Sequence, residues 1–143
     1  MRAQVEAAEI VRRVGAARLG LLWDPGNSCM FRAQHGEAQR PDEYEGFKEL
    51  VTHVHCKNVD VSAKPEGEWA LMDMGLVDWP KQLGALAADG YDGFVVVETH
   101  LHIRPDAFAV AEATGGEGRS VLEDNSEANV RFLLSSLAGP PRL

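Results

Sequence analysis

Side chains able to bind a metal or move a proton accompany three short apolar runs. Asp24 closes Leu19-Gly20-Leu21-Leu22-Trp23, His53 and His55 lie in a run from His53 to Val59, and Glu98 follows Phe94-Val95-Val96-Val97. In parallel α/β architectures the reactive residues gather where strands run out at their C-terminal ends. A carboxylate, an imidazole and a second carboxylate delivered to one rim would make a mixed oxygen and nitrogen site. Such a site suits Mn²⁺, Mg²⁺, Co²⁺ or Zn²⁺ rather than a thiolate-selective metal. Each residue also has a plainer role. An Asp before Pro-Gly is a common turn residue, and one of His53 and His55, which share a strand face, serves equally well as a hydrogen-bonded core histidine. Glu98 is the hardest to explain away, because an unpaired buried carboxylate is costly and needs a cation or a partner.

Neighbouring residues extend the set. Alternation returns Lys57 to the His55 face, where an ammonium could steady a hydroxyl, a phosphate or an enolate; an ordinary surface lysine is the alternative. His100 and His102 repeat the i, i+2 spacing beyond the third strand, in a loop where they could touch substrate. Cys56, between His55 and Lys57, faces the other way and reads as packing. Gly115-Gly116-Glu117-Gly118 follows no strand and lacks a lysine-serine ending, so it is no phosphate loop.

The elements that must position these residues alternate along the chain. Residues 3–14 carry Val5, Ala8, Val11 and Val14 at helical spacing. The apolar run at 19–23 is continuous, as in a strand covered on both faces, and Pro25-Gly26 ends it, with a polar loop following. Pro41-Asp42 opens a second helix bearing Tyr44, Phe47, Leu50 and Val51. A strand over His53–Val59 and a long polar loop over 60–77 come next. Asp78 caps a third helix, with Pro80 in its first turn. Gly90-Tyr91-Asp92-Gly93 turns the chain into the strand at 94–97. A helix over Pro105–Ala113 and a last one over Ser126–Leu137 complete an α-β-α-β-α-β-α order, the signature of right-handed crossovers and a parallel sheet.

The composition excludes several function classes. With 143 residues and 45% apolar types the chain is sized for one domain with a real core. Its formal charge of −8 opposes phosphate backbones, so nucleic acid is a poor partner. There is no apolar stretch of spanning length and no signal-peptide h-region at the N-terminus. Two cysteines form no disulfide framework, which points to free thiols in a reducing cytoplasm.

Five ordered blocks then resemble a family. They are Leu22-Trp23-Asp24-Pro25-Gly26-Asn27, His53-Val54-His55-Cys56-Lys57-Asn58, Met74-Gly75-Leu76-Val77-Asp78-Trp79, Gly90-Tyr91-Asp92-Gly93-Phe94 and Val97-Glu98-Thr99-His100. Together they resemble the C-terminal part of the xylose-isomerase-like TIM-barrel superfamily, in its sugar phosphate isomerase/epimerase group. The resemblance implies one divalent metal held by an Asp, a His and two Glu residues, the Glu pair also moving protons. Carried over by motif, Asp24, His55 and Glu98 would be metal ligands, Glu98 would also be catalytic, and His53 and Lys57 would lie near the substrate. Two departures stand out. The usual Lys-Asp is Lys57-Asn58, which removes a charge, and one glycine of the usual Gly-x-Gly is replaced by Asp73.

The second Glu of the family comes from an earlier strand that this chain does not contain. A closed eight-stranded barrel also needs about 200–250 residues. The expectation is therefore that residues 1–143 form the last three βα units of a barrel, an incomplete gene product or a piece that needs a partner. An oligomer or an N-terminal half would cover the two open sheet edges. The expected activity is metal-dependent isomerisation or epimerisation of a small sugar or hydroxy-ketone through an enediolate, with little turnover by this chain alone. Two alternatives belong to other classes. One is a catalytically inactive half-barrel acting as an interaction fragment. The other is a zinc-dependent abasic-site endonuclease, whose further histidine is missing from Trp69-Ala70-Leu71-Met72-Asp73-Met74-Gly75.

Overall fold

A computed structural model describes residues 3–40, 43–100 and 121–137. Helix α1 (Ala3–Val14) lies against strand β1 (Leu21–Trp23) and reaches the core through Ala8. Beyond β1 the structure departs from the expected turn and polar loop. A helix starts there instead: α2 (Pro25–Gln34). Asp24 is its N-cap, the Asn27 N–H donating to Asp24 Oδ1 at 2.8 Å, and Pro25 occupies a position where its missing N–H costs nothing. Asp-Pro-Gly serves turns and helix starts alike, and here the capping chemistry wins.

The helix expected to open at Pro41-Asp42 is likewise corrected. Those two residues lie outside the described set, and the chain after them forms a pair of 3₁₀ turns, Glu43–Gly46 and Lys48–Leu50. Tyr44 and Phe47 anchor the pair in the core, the Tyr44 ring 4.8 Å from Trp23. A buried Arg32 on α2 ties the first turn down through Glu43 and also reaches Glu37. Val51, assigned by its spacing to that helix, begins strand β2 (Val51–Cys56) instead.

The expected strand over His53–Val59 breaks at Lys57. A short strand β3 (Asn58–Asp60) pairs antiparallel with β4 (Glu68–Ala70), inside the stretch read as loop. The cause is Asn58, only 1% exposed. Its amide donates to Met72 O at 2.8 Å and Val77 O at 2.9 Å, while Oδ1 accepts from Val77 N at 2.8 Å. One side chain thus closes the 72–77 loop back onto β3. Gly75 lies so close to the Asn58 amide that a Cβ there would overlap it.

Helix α3 (Trp79–Ala88) starts where expected, with Asp78 Oδ1 accepting from Lys81 N at 3.1 Å. Strand β5 (Phe94–Val97) and helix α4 (Val121–Leu137) follow. The last helix begins five residues before the expected Ser126, and the helix expected over 105–113 lies outside the described residues. α4 packs on α3, and its buried Asn129 accepts from Met72 N at 2.9 Å.

The main sheet has the order β1-β2-β5, all parallel, with Leu22 opposite His53 and His53 opposite Phe94. This is the expected α/β architecture of successive parallel units, without closure into a barrel. In-register neighbours share a face. Leu21, Trp23, Val54 and Cys56 point to the helices and form the core with Phe47, Val77, Trp79 and Leu83. Leu22, His53, His55, Phe94 and Val96 point the other way. On that face Leu22 is 41% and Phe94 78% exposed.

Replacing Asn58 by Ala strands the Val77 N–H and two loop carbonyls in the interior. Loss of a buried network of this kind should cost about 2–4 kcal/mol. A urea titration followed by circular dichroism measures the loss, and an unchanged midpoint would refute the clamp.

Candidate metal centre

The register of the sheet brings three strand ends together. Asp24 follows β1, His55 is the fifth residue of β2, and Glu98 follows β5, its N–H donating to Cys56 O at 2.9 Å as if the ladder continued. One ligand atom from each of Asp24, His55 and Glu98 can be chosen so that all lie within 4.8 Å of one another. His55 Nδ1 is 2.8 Å from Glu98 Oε2 and 3.8 Å from Asp24 Oδ2. Bonds of about 2.0–2.2 Å from two oxygens and a nitrogen to one ion fit inside such a spread. The donors are hard and borderline, which fits a divalent first-row ion.

Lys57 stands in the middle of this group. Its Nζ is 3.1 Å from Asp24 Oδ2 and 2.6 Å from Glu98 Oε2, and its side chain is 4% exposed. Asn27 holds both partners, donating through Nδ2 to Asp24 Oδ2 at 2.7 Å and accepting from Lys57 Nζ at 3.2 Å. The backbone at Lys57 is fixed from below, where Trp79 Nε1 donates to its carbonyl at 3.1 Å. Gly26 faces the Lys57 stem, and any side chain there would overlap it.

The two carboxyls respond differently to these surroundings. Burial pushes the Asp24 carboxyl above its ordinary value, despite the Asn27 N–H and the Lys57 charge pulling it down. Burial also works to raise Glu98, but there the Lys57 hydrogen bond and charge prevail, helped by His55 and His100, and hold it below the ordinary value.

The remaining predicted residues take distinct places. His100 Nε2 is 2.9 Å from Glu98 Oε1 and 3.2 Å from Lys57 Nζ, and its ring stacks on Trp69 at 4.4 Å. His53 stays one strand step back on the His55 face, its ring centroid 5.4 Å from that of His55. His102 lies outside the described residues. Two contributors were not singled out from the sequence. Asn27 could have been found as the N3 residue of a helix capped by Asp24. Trp69, with its ring centroid 5.4 Å from Lys57 Nζ, sits on β4, which has no strand signal of its own.

The family model described as "Xylose isomerase-like TIM barrel" matches residues 3–124. The chain belongs to that family. The family includes sugar isomerases and epimerases and often uses divalent metals. No curated protein matches the chain significantly. Among solved structures, it is similar to the crystal structure of a xylose isomerase domain protein from Planctomyces limnophilus. That likeness has a TM-score of 0.61 at 18% identity and covers 96% of this chain and 43% of the other. It therefore shows the fold, and this chain spans less than half the length of that neighbour. No helix among the described residues is long and apolar enough to cross a membrane.

The thiols flank this centre without entering it. Cys56 lies on the helix side of β2 and Cys29 within α2, both buried and unpaired. Burial pushes the Cys29 thiol up to about 12, and Cys56 is raised further by burial and by the nearby Asp24 charge. A thiol needs its thiolate to react. At pH 8 a disulfide reagent such as DTNB should label neither in the folded chain and both in guanidinium; prompt labelling of folded protein would contradict this placement.

Proposed function

We propose that this chain carries one side of the active site of a divalent-metal-dependent sugar, or sugar-phosphate, isomerase or epimerase. The observation that carries the reading is the convergence of Asp24, His55 and Glu98 from three successive parallel strand ends within 4.8 Å. Those three residues would hold the ion, which when bound supplies Lewis-acid stabilisation of the charge that develops on a carbonyl and its neighbouring hydroxyl.

The chain's own residues account for the rest. Glu98, at the rim beyond β5, is the group placed to take the proton α to a carbonyl. Lys57 and His100 border the same carboxylate and are placed to orient a substrate oxygen. His53 extends the polar surface along the sheet, beside the exposed Phe94. A small sugar or hydroxy-ketone matches this mix of charged, imidazole and aromatic groups. The second proton-transfer group would come from barrel units outside these residues, whether on the same polypeptide or on an associated one. The same units would cover the exposed sheet face. The free, buried thiols are consistent with a cytoplasmic location.

A second reading, a half-barrel retained for interaction rather than catalysis, is favoured by the exposed Leu22, Phe94 and Val96. The abasic-site endonuclease reading loses ground, since the ligand group among the described residues holds three members and the net charge is −8.

Isothermal titration with Mn²⁺ or Zn²⁺ tests the leading reading. The 143-residue chain should bind weakly. Glu98→Gln and Asp24→Asn should each lose at least tenfold in affinity with unchanged circular dichroism, each removing one charge from the ion's surroundings. Binding that neither substitution weakens would place the ion elsewhere and remove the metal site. Turnover of ketoses by the purified chain should be negligible, and robust epimerisation would show that no further barrel units are needed.

A further inference from the structure

Lys57 is a buried cation held from several sides, its side chain 4% exposed. Its ammonium is bonded to a carboxylate oxygen of both acidic ligand candidates, Asp24 Oδ2 and Glu98 Oε2. Asn27 Oδ1 and His100 Nε2 complete its surroundings at 3.2 Å each. Its stem rests on Gly26, and its backbone carbonyl is pinned by Trp79. The same two oxygens lie 3.8 and 2.8 Å from His55 Nδ1, so a metal ion held by Asp24, His55 and Glu98 would draw on them as well. An ammonium and a divalent cation compete for the negative charge of those oxygens, because two cations held so close repel each other.

We propose that Lys57 is a built-in counter-ion of the metal centre. It neutralises Asp24 and Glu98 while no metal is bound, and it must be displaced from them for metal to enter. Metal affinity is thereby set by an exchange of one cation for another rather than by the ligands alone. Without the ammonium, two adjacent carboxylates would face each other at the sheet rim. The fold would lose stability for want of a cation, and a divalent ion would be the better replacement. Lys57 so limits the centre to ions attractive enough to expel it. Released from the carboxylates, its ammonium becomes available to a substrate oxygen. This inference rests on the proposed metal site and adds to it a residue that opposes binding.

The test compares Mn²⁺ titrations and thermal melts of the full chain with those of Lys57→Met and Lys57→Arg. Lys57→Met should bind Mn²⁺ at least tenfold more tightly than the unmodified chain. It should melt lower in EDTA and gain more from saturating Mn²⁺. Lys57→Arg, which keeps the charge, should bind no more tightly than the original. If Lys57→Met folds only when Mn²⁺ is present, the exchange is supported in its strongest form. If the original chain binds Mn²⁺ and folded Lys57→Met binds it equally or less tightly, the counter-ion role is wrong while the metal site stands. Binding by Lys57→Met alone supports the role and shows that the lysine blocks the site in the original chain. If none of the three binds, both the metal site and the counter-ion role fall.

Discussion

Asp24 and Glu98 aim two negative charges at one small volume beside a parallel sheet, and most of the local architecture exists to make that tolerable. Asp24 is 2% exposed, too buried to be neutralised by solvent. Its charge is met by the helix start it caps, by the Asn27 amide and by the Lys57 ammonium. Bringing Lys57 there has consequences further out. The β2 ladder stops at Cys56 so that the next residue can turn its side chain to the rim. The second residue of helix α2 must have no side chain where the lysine stem passes, which is the structural reason for Gly26. Trp79, at the start of α3, fixes the Lys57 carbonyl and ties the site to the core.

The hairpin and the loop after it support the same point from above. Asn58, next to Lys57, points into the interior and holds Met72 and Val77, so its neighbour's direction is set by a buried network rather than by strand alternation alone. An amide suits this position better than a carboxylate would, because two of its partners are carbonyls that need a donor. The replacement of the family's usual Asp by Asn therefore bears on loop closure, not on charge at the rim. β4 in turn presents Trp69, whose ring stacks on His100 and keeps that imidazole against Glu98.

Wherever one signal dominates, the sequence states the fold openly. Phe94–Val97 has β-branched residues bounded by a glycine turn, and Asp78 followed by Pro80 marks a helix start; both elements are where their residues put them. Illegibility arose where a residue type serves two structures. Asp24-Pro25-Gly26 encodes a turn or a capped helix, and here the cap that Asp24 offers the Asn27 N–H goes with the helix. Tyr44 and Phe47 have helical spacing, yet 3₁₀ turns bury the same pair with fewer residues. Strands of three residues, such as β3 and β4, carry no periodicity that can be read. Asp24, His55 and Glu98 were legible as strand-end residues. Lys57 was legible as facing their side, but not as bonded between the two carboxylates, because that depends on distances no spacing rule supplies.

The surface that bears this centre is also the one the described structure leaves unfinished. Leu22, Phe94 and Val96 lie in the rows of the sheet that carry His53 and His55, and the outer edges of β1 and β5 pair with nothing among the described residues. Exposed apolar rows beside open parallel edges are the kind of surface on which chains associate. Parallel sheets are stable when both faces are covered, so anything that covered this face would also remove water from the Asp24, His55 and Glu98 cluster. Lowering the local dielectric strengthens every interaction among Asp24, Lys57, His55 and Glu98. It also raises the cost of leaving either carboxylate without a cation. Cover on this face and charge balance at the cluster would therefore be coupled: burying the Phe94 face would make a cation beside Asp24 and Glu98 more necessary, and Lys57 already supplies one.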